Sequence, residues 1–295
     1  MIVYLTTRDH RYTIEDFLAG PGAVLAGRMR SMVYDDAFAE GAADIGADTW
    51  IFADLERLSP RRATTAARLW RRLAARGCRL LNHPTRILRR FEMLRVLHEQ
   101  RVNDFDAYRA TDLPRPRRWP VFLRGENNHV GPISQLLRSQ AALDAAIAAT
   151  RRRGWPLEGM IAVEFCDTVE PDGLYRKYGV FKVGAAIVPG HMDASRNWVV
   201  KDLDVLDPVE IARELDYVRS NPHEAAIDKA FRLARIDFGR IDVGVRRGAI
   251  RVWEINTNPL IASDASKRPE RAEVARLLFD RLIEAFLALD RPAAG

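Results

Sequence analysis

Apolar residues come in short bursts at the start of the chain, over Ile2–Thr6, then 24–33, then 50–53, separated by longer mixed segments. That rhythm predicts buried strands alternating with helices. An Arg/Ala/Leu stretch over 60–76 reads as a helix, with Ser59 as its cap, Pro60 in its first turn and Gly77 as its stop. A strand is expected near Leu80. Asn82-His83-Pro84-Thr85 then opens a second helix predicted to run to about Gln100, with Leu88, Phe91, Leu94 and Leu97 on one stripe. Strands are predicted over 105–108 and 120–123, with Pro114, Pro116 and Pro120 keeping the link between them out of helix. A loop over 124–132 leads to a helix predicted over 133–153. A strand over 160–165 precedes a hairpin over 174–191 that turns near Gly184. Helices are expected over 208–219, 222–235 and 269–287, and no fixed-period repeat is present.

The densest chemical signal lies in residues 239–259. Apolar positions alternate from Arg240 to Val245 and resume from Ile250 to Ile255, with Arg246-Arg247-Gly248 as turn chemistry between them. Folding the chain at Gly248 sets Asp242 opposite Glu254, and period-two geometry puts Asn256 on the same face as Glu254. Two facing carboxylates repel unless a cation or a proton lies between them. Oxygen donors with so few acids suit Mg²⁺, with Mn²⁺ as the alternative occupant, because such an ion keeps waters and completes its shell with substrate phosphates. The plainer reading is a pair of solvent-facing acids on an amphipathic hairpin. Asn-Thr-Asn-Pro, a turn signal that stops the strand where the third ligand is presented, favours the metal.

The chain has 295 residues, 47% hydrophobic and 29% charged, which is room for about two domains of ordinary globular composition. No apolar run approaches the roughly 18 residues of a membrane span. The start carries no signal-peptide pattern, and Cys78 and Cys166 stand far apart in apolar contexts, so a cytoplasmic protein with reduced thiols is expected. A net charge of +6 raises nucleic-acid binding as a question. The arginines are scattered beside acids with no interleaved aromatic stacking motif, which disfavours it.

The order of these elements, ending in Asp242, Glu254 and Asn256, resembles the ATP-grasp superfamily, including glutathione synthetase and the glutamate ligases that extend ribosomal protein tails. The similarity covers roughly residues 80–265. It implies an α/β (α+β) architecture in which an N-terminal α/β pre-grasp subdomain over 1–80 precedes an ATP-grasp domain over 81–295. Two α+β subdomains, a lid over about 105–160 and a metal-binding part over about 161–290, would enclose the nucleotide. The family brings two lysines to the nucleotide; here Pro120-Val-Phe-Leu-Arg124 resembles the strand that carries one of them, and Arg90 falls at the other position. Arginine keeps the charge and forks onto phosphate oxygens.

By the same resemblance, the loop from Gly125 to Gly131 is the lid over the phosphates, with Asn127 and His129 as donors. Glu164 and Phe165 match the segment that meets the adenine and sugar. A family arginine near the transferred phosphate falls at Gly179, so Arg176 or Lys177 would take its role. His191, Asn197 and Lys201 lie on the loop expected near the γ-phosphate.

The reaction so implied is Mg-ATP-dependent joining of a small-molecule or peptide carboxylate to an amine through an acyl phosphate. A kinase acting on a hydroxyl is the alternative among enzymes, and a non-catalytic nucleotide- or nucleic-acid-binding module is the alternative of another class. A homodimer is the oligomeric expectation.

Overall fold

The computed structural model describes residues 1–39, 46–128, 130–201, 204–262 and 268–290. Its first sheet is parallel, in the order β2-β1-β3-β4, formed by β1 (Ile2–Thr6), β2 (Met29–Val33), β3 (Thr49–Phe52) and β4 (Arg79–Leu81). Every residue of β1 is buried, as an apolar run covered on both faces of a parallel sheet requires. Helices α1 (Tyr12–Ala19), α2 (Tyr34–Phe38) and α3 (Pro60–Ala75) connect the strands. The expected cap of α3 is present: the Ser59 side chain accepts from the Arg62 backbone N–H, and Gly77 follows with φ +77°.

A second group begins with α4 (Arg90–Glu99) and holds the antiparallel sheet β5-β7-β6, made of β5 (Ala107–Arg109), β6 (Val121–Gly125) and β7 (Met160–Glu164), with α5 (Gln140–Arg152) against it. The third sheet is antiparallel in the order β11-β10-β8-β9, from β8 (Tyr175–Val183), β9 (Ala186–Ser195), β10 (Phe238–Arg246) and β11 (Ala249–Asn256). Helices α6 (Pro208–Ser220) and α7 (Glu224–Ala234) come between β9 and β10, and α8 (Ala272–Leu289) closes the described chain. One core packs α4 and α7 against β10 and β11 through Leu97, Phe231, Ile241 and Val252. Another joins Ile2 and Tyr4 of the first sheet to Leu282 and Phe286 of α8, so the last helix is folded back onto the first strands.

Two helices are shorter than their periodicity implies. The segment after β4 is a turn and helix begins only at Arg90, because Asn82 takes a left-handed φ of 63° and its side chain binds the backbone of Phe52, Asp237 and Phe238. His83 O accepts from the Arg86 and Ile87 N–H groups in a local turn, but Leu88 N–H donates to the distant Ala234 O, so the stretch does not continue as helix. Likewise 133–139 is not helical: Ile133 N–H donates to Leu123 O, Leu137 bridges Val121, and α5 starts only where the Ser139 side chain caps it.

Candidate functional site

The β10–β11 hairpin turns through Arg247 and Gly248, both with positive φ (52° and 76°), the geometry that suits the twist of a two-residue hairpin. That tight turn fixes the register. Arg240 faces Asn256 and Asp242 faces Glu254, after which a bulge shifts the pairing. On the other side of β10, Asp242 faces Gly179 of β8, and Gly179 faces His191 of β9. A single row therefore crosses all four strands: His191, Gly179, Asp242, Glu254. A Cβ built on Gly179 would lie 2.2 Å from His191 Cε1, so the imidazole occupies the space that a larger side chain would need.

Both acids of the row are held by arginines. Glu254 Oε2 accepts from Arg90 Nη2 at 2.5 Å and from Arg124 Nη2 at 2.8 Å. Arg240 Nε and Nη2 reach the two oxygens of Asp242 at 2.8 and 3.2 Å. Arg90 Nη1 also donates to the carbonyls of Gly125, Glu126 and Asn128, at 2.8, 3.1 and 2.7 Å, so this helix residue ties down the loop after β6. Burial and the nearby Arg90 lower the pKa of Arg124, against the pull of Glu254. For Arg240, burial opposes the charge but Asp242 outweighs it, and its pKa is raised.

A cavity of about 260 Å³ opens over these residues, between the β5-β7-β6 sheet and the β11-β10-β8-β9 sheet. Its apolar side carries Phe122, Phe165 and Trp198, with Trp198 centroids 5.0 Å from Phe122 and 5.5 Å from Phe165. Its polar side carries Arg124, Arg240, Asp242, Glu254, Lys177 and Lys201. An aromatic slot beside a cluster of cations and two acids suits a flat base with a polyphosphate tail.

The sequence-predicted residues divide. Arg90, Arg124, Asp242, Glu254 and Asn256 converge, and Phe165 and Lys201 line the cavity. Glu164 also lines it, but its carboxylate accepts from the backbone N–H groups of Asp106, Arg117 and Arg118 and from the Tyr108 hydroxyl, and so fixes the link before β6. Arg176 is not at the site. It points to the opposite face of β8, 1% exposed, with Nε and Nη2 on Glu210 and further contacts to Asp172 and Glu170. The neighbouring Lys177 has the site face, with Nζ 3.2 Å from Asp193 Oδ2 and 3.1 Å from Val200 O.

Asn197 is exposed and turned to Asp204, bracing the end of β9 away from the cavity wall. Asn127 does not line the cavity either; its Oδ1 is buried without a protein hydrogen-bond partner. His129 lies outside the described residues.

His191 packs beside Asp193, Nε2 to Oδ2 at 3.6 Å. Burial brings its pKa down to about 4 despite that carboxylate, so the imidazole is neutral near pH 7. Burial works to raise Asp193, but His191, Lys177 and Arg271 outweigh it and hold its pKa at about 2. Arg240 and Trp198 line the cavity without having been singled out by pattern reading, and Lys177, the alternative to Arg176, is the one of that pair that lines it. Arg240 had a signal, since it stands two residues before Asp242 and so shares its face.

Among the described residues no group of three or more His, Cys, Asp and Glu is assembled to hold a metal. A divalent ion here would have to combine Asp242, Glu254 and the Asn256 amide oxygen with phosphate or water oxygens, which is the donor set of Mg²⁺. Asn256 Oδ1 already accepts from Asn258 N–H at 2.8 Å and keeps one lone pair for such an ion. The phosphate side fits too: Nε of Arg90 and Nε of Arg124 are both buried without a protein hydrogen-bond partner.

The chain is similar in fold to solved ATP-grasp structures. The ATP-grasp ligase PsnB, complexed with a phosphomimetic variant of minimal precursor, Mg and ADP, matches 98% of this chain and 97% of its own at TM-score 0.58 and 13% identity. The L-amino acid ligase of Bacillus licheniformis matches 97% of this chain and 73% of its own, at TM-score 0.56 and 10% identity. The D-alanine–D-alanine ligase of Bacillus anthracis, complexed with ATP, matches 98% of this chain and 97% of its own, at TM-score 0.53 and 14% identity. No protein-family model and no curated protein sequence matches. These likenesses show the ATP-grasp fold, with its mixed α/β layers, over nearly the whole chain. No helix of the described residues is long and apolar enough to cross a membrane.

Proposed function

We propose that the protein is a carboxylate–amine ligase that uses Mg-ATP, and that the observation carrying this reading is the convergence of Arg90 and Arg124 on Glu254, opposite Asp242, under an aromatic slot. The adenine would lie against Phe122, Phe165 and Trp198, and the phosphates would reach the arginines. Arg90 and Arg124 now neutralise Glu254; on nucleotide binding their donors turn to phosphate oxygens and free the acid. Asp242, Glu254 and Asn256 would hold Mg²⁺, which when bound shields phosphate charge and orients the terminal phosphoryl group.

The substrate carboxylate oxygen attacks the γ-phosphorus, the bond to the bridging oxygen breaks, and ADP leaves with that electron pair. An amine nitrogen then attacks the acyl carbon, expels inorganic phosphate and loses a proton, forming an amide. Lys177, Lys201 and Arg240 line the cavity where charge develops in the first step, and fixed cations there lower its barrier. The loop tied down by Arg90 would keep water from the acyl phosphate.

Trapping with hydroxylamine tests the chemistry. A hydroxamate and ADP should form together from ATP, Mg²⁺ and an accepted acid, and Glu254→Gln should abolish both. Unchanged ADP release in that variant, or a stable phosphorylated hydroxyl product, would overturn the reading.

A further inference from the structure

A second cavity, of about 180 Å³, lies between the β8–β9 hairpin, α8 and the turn after Asn258. It shares Lys177, Lys201 and Arg240 with the nucleotide cavity, so the two spaces meet at the cations. Besides His191, Asp193 and Arg271, the rest of its wall is mostly apolar, with Phe181, Leu260, Ile261, Val274, Ala275 and Leu278.

The charges on this wall nearly cancel. Arg240 is paired with Asp242, Arg271 lies between Glu214 and Asp193, and Asp193 also takes Lys177. Among the described residues no acid lies within ion-pair distance of Lys201, whose ammonium donates to Val130 O. Among the described residues the four cations of the wall thus have three acids as partners, Asp242, Glu214 and Asp193, and His191 beside them is neutral near pH 7. One positive charge is left over, at the junction with the nucleotide cavity. A single carboxylate would balance it; a second one would have to sit against Phe181, Leu278 and their apolar neighbours, where an unpaired charge is costly.

We infer that this cavity seats the acid to be activated, and that the acid is a small one, of amino-acid size, with one carboxylate at the cations and a short uncharged body against α8. This rests on the ligase reading and names its substrate class. A space of about 180 Å³ suits a small acid better than a bulky one. Ala275 and Leu278, one helical turn apart on α8, set its depth.

The test is hydroxamate formation with ATP, Mg²⁺ and hydroxylamine across unbranched and branched aliphatic monocarboxylates, neutral α-amino acids and dicarboxylates of matched length. Small monocarboxylates or neutral amino acids should exceed dicarboxylates at least tenfold in kcat/KM. Leu278→Ala should move the optimum to acids longer by one or two carbons, and Ala275→Leu should move it to shorter ones. Neither should change the Kd for Mg-ATP, read from Trp fluorescence, by more than twofold. A preference for dicarboxylates, or an unaltered length profile in Leu278→Ala, overturns the assignment of the seat while leaving the ligase reading intact. No hydroxamate from any acid, with Mg-ATP still bound, overturns the ligase reading and the seat with it.

Discussion

Arg240 and Asp242, two residues apart on β10, are locked side chain to side chain by a two-pronged contact, Nε to Oδ1 at 2.8 Å and Nη2 to Oδ2 at 3.2 Å. Neighbours at i and i+2 of a strand share a face, so the strand itself delivers the partner. The pair is largely buried, with side chains 17% and 8% exposed. Removing the cation leaves a carboxylate facing Glu254 without its counter-charge.

Arg240→Ala should therefore destabilise the free protein by about 3 kcal/mol or more, the usual cost of breaking a buried pair from one side. Urea unfolding without nucleotide measures this. Mg²⁺ should recover part of the loss, because two facing carboxylates stripped of Arg240 attract it more strongly. A variant as stable as the parent, with no added response to Mg²⁺, would show that Arg240 is not what holds Asp242.

Arg90 and Arg124 should respond differently to lysine. Arg90 spans Glu254 and three carbonyls of the 125–128 loop with one planar fork, a task beyond a single ammonium. Arg124 makes its contact to Glu254 through Nη2 alone. Arg124→Lys should raise the Kd for Mg-ATP by less than about tenfold, and Arg90→Lys by about thirtyfold or more, near 2 kcal/mol. Calorimetric titration separates these outcomes, and equal effects would refute the division of labour.

Asn258 ties the β10–β11 hairpin to the first sheet. Its Oδ1 accepts from Tyr4 Oη at 2.7 Å and Thr13 Oγ1 at 2.8 Å, and its Nδ2 donates to Thr6 Oγ1 at 3.2 Å and His10 O at 3.3 Å. Beside it Thr257 N–H donates to Glu56 Oε1 at 2.6 Å. Asn258→Ala strands several buried polar groups and should cost about 2–4 kcal/mol in urea unfolding. A loss below about 1 kcal/mol would mean that Asn258 is not what joins the two parts.

His191 gives the protein an acid-side weakness. Its pKa of about 4 in the folded chain lies below that of an unfolded histidine, near 6.5, so between these values the unfolded state binds more protons. Stability from this group is complete above about pH 6.5 and is lost as the pH falls toward 4. Asp193, depressed to about 2, acts lower down: its contribution is intact above about pH 3.9 and fades toward 2. Urea midpoints of the parent and His191→Gln between pH 4 and 7 should diverge, the parent losing more stability on acidification. Parallel curves would place the pH dependence elsewhere.

Much of the site was legible in the linear chain because strand geometry is local. Alternation over 240–245 and 250–255 and the tight turn at Gly248 were enough to set Asp242 against Glu254, since a two-residue loop leaves only one register. The choice between Arg176 and Lys177 was not legible. Both sit on β8, and which face meets the cavity depends on pairing with β10 and β9 and on the bulge after Gly179. The start of α4 was hidden for a related reason: nothing in Asn82-His83-Pro84-Thr85 reveals that Asn82 will bind backbone groups of Phe52 and Phe238.

The sequence by itself determined the alternation of strands and helices, the hairpin that carries Asp242, Glu254 and Asn256, and the presence of arginine at two positions where the resembling family has lysine. Only the tertiary structure decided that both arginines meet on Glu254, that Arg240 holds Asp242, that Arg176 faces away and that His191 lies over Gly179. Periodicity states which residues share a face of one element. Which faces meet is decided by packing between elements distant in the chain, and that information is distributed over the whole core.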